Sequence, residues 1–151
     1  LPAAEPVAAV APAPAASPSP AAPAPRTDGT PLSIYRGALD AFNQGKYGDA
    51  LELLNRFIAT SPDPDYMDNA IFWVGECQYG QGAYADALAA FQRVATEFPD
   101  GNKVPDALLK MALTYERLDN VDRAREVLRQ LASTYPSTDA ARRAAERLRA
   151  L

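Results

Sequence analysis

From residue 31 onward, apolar residues recur at intervals of three and four, the spacing of a helix that buries one stripe. Ile71, Val74, Gly75 and Gln78 share one such face, Gly82 interrupts it, and Tyr84, Ala87, Phe91 and Val94 then share another. The same two-stroke pattern precedes it as Ile34, Gly37, Ala38 and Ala41, then Gly45, then Tyr47, Ala50, Leu54 and Phe57. It follows again as Leu108, Met111, Ala112 and Tyr115, then Asp119-Asn120, then Val121, Ala124, Leu128 and Leu131. The pattern predicts helices over 32–44, 48–60, 66–81, 84–97, 103–117 and 121–134. A seventh over 139–150 has one narrow stripe, Ala140, Ala144 and Leu148, with arginines and Glu146 elsewhere.

These strokes repeat with a fixed period. Pro62, Pro99 and Pro136 close three similar segments and lie 37 residues apart, as do Ala50, Ala87 and Ala124. Each position has a physical role. Gly75 and Ala87 are small enough to let two helix axes approach, and the ring at Tyr84 closes the turn between them. Each proline stops a helix, because the residue before it is pushed out of the α region. Acidic turns such as Asp63-Pro64-Asp65 and Asp100-Gly101 then stand at the next helix N-terminus, opposing its dipole favourably. The fold class predicted is all-α: a solenoid of three helical hairpins, at about 31–64, 65–101 and 102–138. The helix at 139–150 has no partner helix and reads as the cap such an array requires.

Composition changes sharply before residue 31. Residues 1–30 are mostly Ala and Pro, with eight prolines and almost no large apolar side chain. Such a stretch can neither hold a helix nor bury enough to offset the entropy of ordering. It reads as a semi-rigid linker, partly polyproline II, or else as a processed end without a role of its own. A linker implies a further domain upstream of it, and any signal peptide would also have preceded Leu1.

Charge narrows the partner. The net charge of −4 argues against nucleic acid. Residues 31–106 carry 5 basic and 11 acidic side chains, whereas residues 107–151 carry 9 basic and 6 acidic. The array thus runs from an acidic front to a basic tail.

Catalytic chemistry finds no foothold. There is no histidine for an acid–base pair, and the single cysteine, Cys77, has no imidazole to activate it. A lone cysteine also rules out an intrachain disulfide and a multi-cysteine zinc site, and Cys77 reads as a small buried hydrophobe. No phosphate-cradling loop follows a strand, since no strand is predicted. No enzyme activity, cofactor, metal or small-molecule substrate is expected.

These recurring positions resemble the tetratricopeptide repeat, best in the second unit through Val74-Gly75, Tyr84, Ala87, Phe91 and Pro99. The usual period of that repeat is 34, so each junction here is three residues longer. Longer stretches narrow the resemblance. Residues 70–79, 82–91 and 97–107, the opening Tyr35 to Ala50 and the close at Tyr135-Pro136-Ser137-Thr138-Asp139-Ala140-Ala141 are similar to the C-terminal domain of the YbgF/CpoB family of the periplasmic Tol–Pal system. That resemblance covers about 31–148. It implies a periplasmic protein with a signal peptide, an upstream trimerising coiled coil and a low-complexity linker. It further implies a domain that binds TolA and links outer-membrane constriction to cell-wall synthesis during cell division. Two alternatives stay open: a structural subunit of an outer-membrane assembly or secretion complex, similar to the BamD-type lipoproteins, and a cytoplasmic repeat adaptor.

In stacked hairpins the first helix of each unit lines the concave face. Counting from the repeat positions, Tyr35, Leu39 and Phe42 should point there, with Asn69, Phe72, Glu76, Tyr79, Leu109, Leu113 and Glu116. The partner-binding set expected is Tyr35, Leu39, Asn69, Phe72, Glu76, Tyr79, Leu109 and Glu116, with Asn69 pairing a peptide backbone and Glu76 pairing basic side chains. For Phe42 and Leu113 the competing reading is core packing, and for Trp73 it is packing between hairpins. Lys110 is the sole basic group near these positions, which argues against a clamp for a C-terminal carboxylate. The arginines at 123, 125, 129, 142, 143 and 147 read as a solvated outer face with local ion pairs.

Overall fold

The computed structural model describes residues 28–60 and 63–151, which form seven α-helices. They are α1 (Pro31–Asn43), α2 (Tyr47–Thr60), α3 (Pro64–Gly80), α4 (Tyr84–Glu97), α5 (Val104–Arg117), α6 (Val121–Thr134) and α7 (Asp139–Ala150). Every bound lies within two residues of the periodicity reading. The linker reading of residues 1–30 lies outside the described residues up to position 27.

Local chemistry sets the ends. Thr30 caps α1 by accepting from Ser33 N at 3.3 Å, Asn120 caps α6 by accepting from Arg123 N at 3.3 Å, and Thr138 caps α7 by accepting from Ala141 N at 3.1 Å. Pro31 and Pro64 open α1 and α3, where a missing N–H costs nothing. Each first helix ends in the same device. A residue with positive φ follows it (Gly45 at 74°, Gly82 at 78°, Asp119 at 57°), and the next N–H reaches back five residues. Those bonds are Lys46 N to Ala41 O at 2.9 Å, Ala83 N to Gln78 O at 2.9 Å, and Asn120 N to Tyr115 O at 2.8 Å. This arrangement satisfies carbonyls that the helix end would leave orphaned.

Consecutive helices pack in order along the chain, and α7 touches α5 as well as α6. The period-setting alanines Ala50, Ala87 and Ala124 are all fully buried. Beside them lie Leu54, Phe91 and Leu128, equally buried. Two apolar clusters result, one in the first hairpin and one running from α3 to α7. Ile58 and Trp73 pack against both. The Trp73 ring is 5.0 Å from Phe42 and 5.7 Å from Phe72, so its work is to join hairpins. Among the described residues, no helix is long and apolar enough to cross a membrane.

Candidate partner-binding face

The first helices α1, α3 and α5, with α7, meet one another directly through side chains. Tyr35 of α1 faces Tyr66 of α3 at 5.9 Å between ring centres. Lys110 Nζ of α5 lies 2.9 Å from Glu76 Oε1 of α3 and 4.4 Å over the Tyr79 ring. Arg147 Nε of α7 donates to Glu116 of α5 at 2.9 and 3.1 Å. The second helices α2, α4 and α6 pack mainly against the first helices flanking them. The first helices, joined by these side-chain contacts, therefore make up one layer of the array, the inner layer, which in stacked hairpins lines the concave side.

All eight residues singled out from sequence sit on these helices, but not all face solvent. Phe72 is only 7% exposed and Leu109 only 3%, so both belong to the core rather than to an open groove. Phe72 turns toward α4, 5.6 Å from the Phe91 ring, and Lys103 Nζ covers it at 5.0 Å. Leu109 is buried in the cluster that includes Ala140, Ala141 and Ala144 of the cap. It forms the floor of a cleft of about 270 Å³ between α5 and α7, lined also by Leu113, Arg143 and Arg147.

The two acids are present but engaged. Glu76 faces Lys110 as an ion pair, not aligned as a hydrogen bond, with Oε1 buried. Glu116 is held by Arg147, so neither carboxylate is left bare for a partner's basic groups. Tyr35 and Tyr79 are half-buried, and burial pushes both phenols above the ordinary value. Leu39 and Asn69 are half-buried, and the Asn69 amide reaches only Asp65 O, at a long 3.5 Å. Phe42 packs on Tyr47 and Trp73, as the core reading holds, whereas Leu113 lines the α5–α7 cleft.

The sequence reading missed Tyr66, which is 42% exposed and three residues before Asn69. The helical spacing that selected Asn69 could have found it. It read the α7 arginines as a solvated outer face, whereas Arg143 and Arg147 wall the α5–α7 cleft. The inner layer thus offers Tyr35, Leu39, Tyr66, Asn69, Tyr79 and Leu113: aromatic and aliphatic surface with one weakly engaged amide. That composition suits an extended or helical peptide rather than a small charged molecule.

Chemical reactivity is low here. Cys77 is fully buried, and burial pushes its thiol up to about 12, keeping it a protonated, inert side chain. No group of three or more Cys, Asp or Glu among the described residues is arranged to hold a metal ion.

Two family models, both described as tetratricopeptide repeat, match residues 35–102 and 78–148. A search of curated proteins finds no match. Among solved structures, the chain is similar to PcrH in complex with the chaperone binding region of PopB, at 20% identity and a TM-score of 0.66, covering 80% of this chain and 96% of the other. It is similar to the type III secretion translocator chaperone SycD of Yersinia enterocolitica, at 19% identity and 0.68, covering 81% and 90%. It is also similar to YrrB, a TPR protein with an unusual peptide-binding site, at 22% identity and 0.64, covering 78% and 57%. Identities this low carry the fold alone.

Proposed function

This chain is a tetratricopeptide-repeat protein, and from that premise we propose that it is a non-catalytic periplasmic adaptor whose inner layer docks a TolA-like envelope protein. Its task in this reading is to help couple outer-membrane constriction to cell-wall synthesis during division, with the synthesis machinery as a further partner. The observation that carries the binding role is the inner layer itself. Half-exposed Tyr35, Leu39, Asn69, Tyr79 and Leu113, with exposed Tyr66, leave apolar surface along α1, α3 and α5. The YbgF/CpoB-like stretches through 70–79, 82–91 and 97–107, and the Pro/Ala-rich residues 1–30, support the periplasmic assignment. PcrH, crystallised with a region of PopB, shows that an array of this fold can hold a protein segment.

Calorimetric titration with a TolA-like periplasmic domain tests the reading. Tyr66→Ala together with Tyr79→Ala should weaken binding at least about tenfold, since buried aromatic contacts dominate such interfaces. Unchanged affinity in that variant, with the fold intact by circular dichroism, would remove the inner layer from the interface. Fractionation of cells expressing the full precursor tests the compartment, and recovery in the cytoplasm would sink that part.

A further inference from the structure

A second, chemically different cleft of about 510 Å³ opens where the N-terminal turn of α3 meets the turn between α4 and α5. Its wall carries Asp65, Asp68, Glu97 and Asp100 and no basic side chain. Glu97 is neutralised by Arg93, which donates to it at 2.9 and 3.2 Å. Lys103, on the same turn, is drawn to Asp106 at 3.9 Å. Asp65, Asp68 and Asp100 have no cationic partner among the described residues.

Asp68 is the telling member. It is 4% exposed, the only buried acid among the described residues. Its Oδ1 accepts one hydrogen bond, from the backbone N–H of the adjacent Asn69 at 2.8 Å, and among the described residues Oδ2 accepts none. A carboxylate so far out of water ordinarily has a counter-charge or several donors. Oδ2 lies close against Gly101, where a Cβ would stand 2.7 Å from it, so only a glycine fits beside the carboxylate. The burial of Asp68 is independent of the surface acids, and with Oδ2 unpaired among the described residues it points to a cation entering from outside.

We propose that this cleft is a binding site for a lysine or arginine side chain of a protein partner. Two exposed carboxylates draw the cation in, and the buried one pairs with it where water is scarce, so the contact gains strength from desolvation. A guanidinium is favoured over an ammonium because its fork can meet Asp68 and a rim carboxylate together. That the cation belongs to a protein rests on the adaptor reading, whereas the preference of the cleft for a guanidinium does not.

Amide chemical-shift mapping on the full chain, titrated with N-acetyl-arginine amide, tests the site without any partner. Saturable shifts are expected at residues 65–69 and 98–102, with N-acetyl-citrulline amide giving none. Asp68→Asn should weaken the probe at least tenfold. If that variant fails to fold, the exposed pair Asp65→Asn and Asp100→Asn should weaken it severalfold. Shifts that do not saturate, that persist in both variants, or that citrulline reproduces would overturn the proposal. So would calcium chloride producing tighter shifts at the same amides than the arginine probe, since the site would then be one for a metal. Partner affinity unchanged in the inner-layer variants, with arginine binding intact, would fail the adaptor face alone, whereas lost partner binding in those variants with no arginine binding would fail this site alone.

Discussion

The Phe91 ring occupies the space that a side chain at Gly75 would need: a Cβ there would stand 2.6 Å from Phe91 Cε1. The glycine lets α3 and α4 close on each other, and Phe91, fully buried, fills the notch. Gly75→Ala sets two effects against each other. Helix propensity gains at most about 1 kcal/mol, while overpacking against a ring with no room to move costs about 1–3 kcal/mol. A net loss of about 1–2 kcal/mol is expected, read as a lower urea midpoint with unchanged slope. A midpoint equal to or above wild type would mean that the ring can yield.

Asp119 stands in the register of Gly45 and Gly82, with φ of 57° against their 74° and 78°. A left-handed backbone costs most side chains about 1–2 kcal/mol, and Asp less because its short polar group tolerates it. Asp119→Gly removes that strain but loosens the unfolded chain, so stability should hold or rise by up to about 1 kcal/mol. Asp119→Val, β-branched at the same φ, should lose about 1–2 kcal/mol although the site is exposed. Thermal unfolding should rank the variants Gly at or above Asp, and Asp above Val. Any ranking with Val at wild-type level would show that the turn relaxes.

This register is legible in the sequence, because a period of 37 repeats alanine, proline and turn positions, each with one local physical cause. The same holds for Trp73, whose place beside the Ile71–Val74 stripe pointed to packing between hairpins. Phe72 and Leu109 were not legible. A helical wheel gives the direction of a side chain but not how the next element rolls over it, and only the packing of α4 on α3 and of α7 on α5 buries those two. The pairs Glu76–Lys110 and Glu116–Arg147 join residues 34 and 31 apart, so no local pattern announces them. The acidic cleft was half visible, as acids in turns. The burial of Asp68 was not, since it depends on where the turn at Gly101 comes to rest.

Cys77 ties stability to pH in a direction that burial dictates. Its thiol is raised from the ordinary 9.0 to about 12, so the folded state keeps a proton that the unfolded state gives up. The stabilisation is therefore whole below about pH 9 and declines as pH rises toward 12, by at most about 1.4 kcal/mol per pH unit. Tyr35 and Tyr79 shift the same way, so the comparison must be between wild type and Cys77→Ala. Urea midpoints at pH 7, 9 and 10.5 should show the wild type losing ground on the variant only at the higher two. A constant difference would mean that the native thiol ionises normally. In the native state at pH 8, a thiol reagent should label Cys77 no faster than the chain opens.

The pair Glu76–Lys110 decides whether the inner layer is a rigid platform or a set of free charges. Lys110 is shared, 2.9 Å from Glu76 and 4.4 Å over Tyr79, and both charged side chains are about four-fifths covered. Removing the cation alone, as in Lys110→Met, strands a partly buried carboxylate and should cost about 1–3 kcal/mol. Removing both charges, Glu76→Gln with Lys110→Met, relieves that penalty and should recover most of it, because a neutral amide beside a thioether needs no counter-ion. The coupling energy from the double-mutant cycle should reach about 1–2 kcal/mol and persist in 1 M salt, where an exposed pair would be screened. Additive losses, or coupling that salt abolishes, would make Glu76 an available charge and return it to the list of partner contacts. If the coupling holds, Glu76→Gln combined with Lys110→Met should leave partner affinity nearly intact. Tyr79→Ala should still lower it, since in this reading the pair holds the tyrosine ring in place and the ring meets the partner.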